Sequence, residues 1–110
     1  MIERTMKRIE ETLQAADKMD PKRREELLAL MGDLKEEVET LATSHRDEAE
    51  SIAALTRVST HEAVQENPNA RLVDISMEGL TASVDEFKAS NPRLVSVVNE
   101  ISTFFAGLGI

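Results

Sequence analysis

Apolar side chains in this chain return at alternating steps of three and four residues, and that rhythm constrains the fold before anything else does. In the first segment Ile2, Met6, Ile9, Leu13 and Ala16 follow it. It is the a/d seam of packed helices, whose steps average about 3.5 residues and keep one stripe facing a neighbour. Glu3, Arg4, Lys7, Arg8, Glu10 and Glu11 form the solvated outer face. The rhythm repeats at Leu27, Met31, Leu34, Val38 and Leu41, where Leu28 and Leu30 widen the stripe. It returns at Val73, Met77, Leu80, Val84 and Phe87, and finally at Leu94, Val98, Ile101, Phe105 and Leu108. No stretch alternates with period two, so the chain reads as all-α. The four seams share a rhythm but not a sequence, so there is no internal repeat.

Three dipeptides punctuate the pattern. Asp20-Pro21 reads as a helix start, with Asp accepting a backbone N–H at the N-cap and Pro at a first position that needs no donor. Asn67-Pro68 stops one helix, because residues before proline avoid the helical region. Asn91-Pro92 repeats the start signal. Between Ala42 and Ser51 no large apolar residue occurs, but neither does Pro or Gly, and Ile52, Leu55 and Ser59 fall back into register with Leu41. The preferred reading is therefore one helix from Pro21 to Gln65, about 65 Å long at 1.5 Å per residue. A break near Ser44 is the competing reading. Gly32 and Gly79 lie inside helices, where glycine costs about 1 kcal/mol, and Gly32 suggests a close helix approach. The expected architecture is a single domain over 1–110: an elongated, coiled-coil-like bundle with helices at about 3–18, 21–65, 70–89 and 92–107.

Charge and composition narrow the function classes. Lys plus Arg is 13 and Asp plus Glu is 21, a net charge of −8. That balance opposes nucleic-acid binding, which needs a basic face. Absent cysteine excludes thiolate chemistry and Cys-ligated metals, and three aromatics, all Phe, leave almost no stacking platform. Neither a signal peptide nor the roughly 18 consecutive apolar residues of a membrane span is evident, so a cytoplasmic protein without membrane contact is expected.

The last helix is the least charged. Arg93 and Glu100 are its sole charges, and Val97 and Phe104 broaden the seam until it faces two neighbours at once. A thin bundle built on a 45-residue helix has little core per residue, a deficit that oligomerisation commonly offsets. A homodimer is therefore expected, with Leu94, Val97, Val98, Ile101, Phe104, Phe105 and Leu108 as its interface.

Two stretches carry a likeness. Leu13 through Leu41, with Met19-Asp20-Pro21 opening Arg24-Glu25-Glu26-Leu27-Leu28, is similar to the front half of a family of small acidic bacterial all-helical proteins. The back half, about residues 80–110, resembles that family through Phe87-Lys88-Ala89-Ser90-Asn91-Pro92-Arg93-Leu94 and the ending Phe105-Ala106-Gly107-Leu108-Gly109-Ile110. There the family pattern is Phe-Glu-x-Ser-His-Pro-x-Leu; this chain has Lys88 in place of Glu and Asn91 in place of His. The family is catalogued only as a domain of unknown function. The resemblance implies a bacterial helical protein and no activity, cofactor or site residue.

Individual candidates for chemistry are few. His45 sits at a seam position but lacks the His-x-x-Lys-Gly of histidine-phosphotransfer bundles. His45 with Glu48, and His61 beside Glu62, could serve a metal, yet the Glu-x-x-His pairs of di-metal bundles are missing. Asp33, Glu36, Glu37 and Glu39 read as a charged outer face. Lys18, Lys22, Arg23 and Arg24 are surrounded by Asp17, Asp20, Glu25 and Glu26, which cancel them. The sequence thus points to a non-catalytic helical assembly or adaptor protein without cofactors, acting through its own copies or another protein. The alternative is a small metal- or ligand-binding bundle using His45 or His61.

Overall fold

The computed structural model describes residues 1–109. Its five helices are α1 (Ile2–Gln14), α2 (Pro21–Ala42), α3 (Arg46–Val64), α4 (Ala70–Asp85) and α5 (Pro92–Ala106), and no strand occurs among the described residues. The predicted seams are buried: Ile2, Met6, Ile9 and Leu13 on α1, and Leu27, Met31, Leu34, Val38 and Leu41 on α2, all fall within one core cluster.

The 45-residue helix does not exist. The chain leaves α2 at Thr43 and re-enters α3 after His45, whose φ of −136° and ψ of 65° are not helical. The cause is local. Thr43 Oγ1 donates to the Thr40 carbonyl at 2.7 Å, and Ser44 Oγ lies 2.9 Å from His45 Nδ1. Short polar side chains that bond to nearby groups offer the backbone an alternative to the helix, and no large apolar residue here resists it. The amides follow: Thr43 N–H donates to Thr40 and Ser44 N–H to Leu41, each three residues back at 3.2 Å.

The fold-back decides the shape. α3 packs against α1, α2 and α4, and α5 packs against α2 and α4. The molecule measures 38 × 23 × 20 Å with a Cα radius of gyration of 12.9 Å. About 13 Å is what a compact chain of this length shows, so the expected elongated bundle is corrected to a compact one.

Helix ends also differ from expectation. α1 stops at Gln14 and the chain turns through Ala15–Asp20, where Arg24 Nη1 donates to the Ala16 carbonyl at 3.3 Å. α4 stops at Asp85, and Phe87 is buried from the following turn. Asp20 and Asn91 stand at N-caps, each ahead of a proline, but neither side chain makes a capping bond. Asn69 does: its Oδ1 accepts from the Leu72 N–H at 3.1 Å.

α3 buries a face that hydropathy hides. Ala49, Ile52, Ala53, Thr56, Ser59, Thr60 and Ala63 are buried, and all but Ile52 are small. Small side chains let helices approach, and α3–α4 is the most extensive helix pair in the molecule. Gly79 of α4 faces Leu55, where an added Cβ would meet the Leu55 Cδ2 at 3.4 Å. Gly32, by contrast, has nothing within 4 Å of where its Cβ would be, so it serves no close approach.

Candidate functional site

The side chains expected to join two copies are inside one. Leu94, Val98 and Ile101 are fully buried, Val97, Phe104 and Phe105 nearly so, and Leu108 is half-buried. The two neighbours that this wide stripe faces are α2 and α4 of the same chain. The surface left for contact lies beside the stripe.

α2 and α5 run side by side, and between them lies an open groove of about 830 Å³. α2 contributes Glu26, Ala29, Leu30 and Asp33, spaced to share one helical face. From α5 come Val95 and Phe104 at the floor and Pro92, Ser96, Asn99, Glu100 and Thr103 along the rim. Leu30 and Val95 are half-buried, so the floor is an apolar strip that the fold leaves partly open. Three carboxylates line the groove and no Lys or Arg does.

Two arginines bound it. At the Pro92 end, Arg93 donates through Nε to Glu37 Oε2 at 3.1 Å and lies 3.7 Å from Asp33 Oδ1 through Nη2, tying α5 to α2. At the other end the Arg23 guanidinium lies 5.6 Å from the Phe104 ring centroid, a cation–π contact. Of the acids expected on the outer face of this helix, Asp33 and Glu37 hold Arg93, and Glu36 faces solvent.

His45 is the N-cap residue of α3, and its ring packs edge-on against Phe87 with centroids 5.1 Å apart. His61 lies sixteen residues further along the same helix, about 24 Å away, so the two histidines cannot share a ligand. Among the described residues no group of three His, Asp or Glu side chains converges as a metal site. Of the basic residues at the α1–α2 turn, Lys18 pairs with Glu66 at 3.0 Å, Arg24 holds the turn and Arg23 covers Phe104. A smaller cleft of about 440 Å³ opens beside this turn, and another of about 560 Å³ lies between α4 and α5, lined by Asp74, Glu78 and Asp85. The cleft beside the turn also holds half-buried apolar side chains, Met19, Val64 and Leu108, but mixes Lys18 and Arg23 with Asp20 and Glu66, so its lining has no charge of one sign.

The groove was missed in the sequence because its residues sit off the seams. Its signal is nonetheless present: Leu30 and Val95 are apolar residues outside the main rhythm, and each shares its helix with a flanking acid. Comparison with family models, curated proteins and solved structures finds no match to this chain. The likeness of residues 13–41 and 80–110 to a bacterial family gains nothing from it, and Ile110 at the end of that likeness lies outside the described residues.

Proposed function

We propose that this chain is a non-catalytic helical assembly or adaptor protein acting through protein–protein contacts, with the α2/α5 groove as its contact surface. The carrying observation is the partly exposed strip of Leu30, Val95 and Ala29 between two helices whose main seams are already covered. An apolar strip left partly open gains further burial when a partner covers it.

Photo-crosslinking from within the groove tests this. A benzoylphenylalanine at Ser96, on the exposed rim, is compared in the native cell with one at Lys7, on the outer face of α1. A discrete adduct at Ser96 and none at Lys7 supports the reading. An adduct whose only component is this chain makes the assembly homomeric, which also supports it. Equal labelling at both positions, or none at Ser96, overturns it.

A further inference from the structure

We infer that the occupant of the α2/α5 groove is a basic amphipathic helix of another protein, with apolar anchors on one face and Lys or Arg along both edges. This rests on the contact reading above and names the partner's chemistry.

The charge on the walls carries the argument. Glu26 and Asp33 stand on the α2 wall and Glu100 on the α5 wall, so a rod lying in the groove meets negative charge on both sides. Asp33 is held by Arg93. Glu26 and Glu100 are exposed and carry no ion pair among the described residues. No cation lines the groove, and the two arginines at its ends are already engaged with Glu37 and Phe104. A partner edge bearing Lys or Arg completes these carboxylates; an acidic edge meets like-charge repulsion, which is how charged rims select partners. The chain's net charge of −8 acts in the same direction at longer range.

The form of the partner follows from the host. Peptide recognition by strand addition needs a free sheet edge, and no strand exists among the described residues. Polyproline recognition needs an aromatic-lined groove, and Phe104 is the single aromatic here. Helix-in-groove binding remains. From Pro92 to Phe104 the groove follows α5 for about 18 Å, a little over three turns, enough for anchors at i, i+3 or i+4, and i+7. The groove is also open along its length, whereas a small ligand site encloses about 70–90% of what it holds.

The test is selection from a display library of amphipathic helices, about five turns long, with Leu anchors fixed and flanking positions randomised among Lys, Glu and Ser. Wild-type protein is expected to enrich Lys on both flanks, with binding that weakens on going from low to physiological salt. The double variant Glu26→Lys/Glu100→Lys changes two exposed side chains and should keep the far-ultraviolet spectrum. It is expected to bind the selected Lys peptides about tenfold or more weakly and to enrich Glu flanks instead. Enrichment of neutral or acidic flanks by the wild type overturns the inference, as does enrichment that the double variant leaves unchanged. A Ser96 crosslink composed solely of this chain also overturns it while leaving the contact reading intact; loss of the Ser96 adduct removes both.

Discussion

Thr60 is the place where a single atom substitution should raise stability. Its side chain is 1% exposed and its Oγ1 has no hydrogen-bond partner. An orphaned buried hydroxyl costs about 1–3 kcal/mol relative to a satisfied or apolar group. Thr60→Val exchanges that hydroxyl for a methyl of similar shape, and valine and threonine have nearly the same helix propensity, so the backbone term cancels. The expected gain is about 1–2 kcal/mol. Thr56, one turn earlier on the same buried face, supplies the control: its Oγ1 donates to the Ile52 carbonyl at 2.8 Å. Thr56→Val loses a bond worth about 0.5–1.5 kcal/mol net and gains a buried methyl of comparable worth, so it should be near neutral. Both variants are followed by circular dichroism, because the chain has neither Trp nor Tyr. Each 1 kcal/mol moves the midpoint by about 4 °C or more in a domain of this size. If Thr60→Val melts no higher than Thr56→Val, the Thr60 hydroxyl has a partner and the reasoning fails.

Gly32→Ala should stabilise by about 0.5–1 kcal/mol, since nothing lies within 4 Å of the new Cβ; a lower melting midpoint would mean that a neighbour occupies that space. Asn69→Ala should cost about 1 kcal/mol through loss of the cap on Leu72, while Asp20→Ala, whose side chain caps nothing, should cost clearly less; equal costs in urea titrations would refute the capping assignment. Phe105→Asp places an unpaired carboxylate in the core of the single chain, so helical signal should collapse at every protein concentration, and a folded monomer would show that Phe105 had faced another copy.

What the sequence discloses depends on the size of the buried side chains. On α1 and α2 the buried residues are large and regularly spaced, and all nine were legible. On α3 they are mostly Ala, Ser and Thr, which carry little hydropathic contrast, so of its buried face only Ile52 and Ser59 were legible, although that face belongs to the most extensive helix pair. The break at Thr43–His45 was the competing reading and not the preferred one, for a related reason. It uses neither Pro nor Gly but two hydroxyls bonded locally, a choice the backbone makes only when no apolar contact opposes it. Caps were legible as positions and not as bonds: each of Asp20, Asn69 and Asn91 precedes a helix, and one of the three side chains reaches an amide.

The width of the α5 stripe shows where pattern reasoning needs tertiary structure. A stripe too broad for one neighbour demands two, and that inference from Leu94, Val97, Val98, Ile101, Phe104 and Phe105 was sound. The assignment of the second neighbour to another copy followed from the unbroken α2–α3 helix, which implied a thin bundle with little core per residue. Once the helix folds back at Ser44, α1 and α3 close one side of the bundle, and α2 and α4 both reach α5. One local event therefore changed the molecule from an elongated bundle that needs a second copy to a compact one that covers its own seams. The same event relocates the contact surface. With the seam enclosed, what α5 still presents is its flank at Val95 and Ser96, set against Ala29 and Leu30 of α2 under three carboxylates. The groove is a property of two helices that are remote in sequence, Glu26–Asp33 and Pro92–Phe104, and neither segment alone records that they meet.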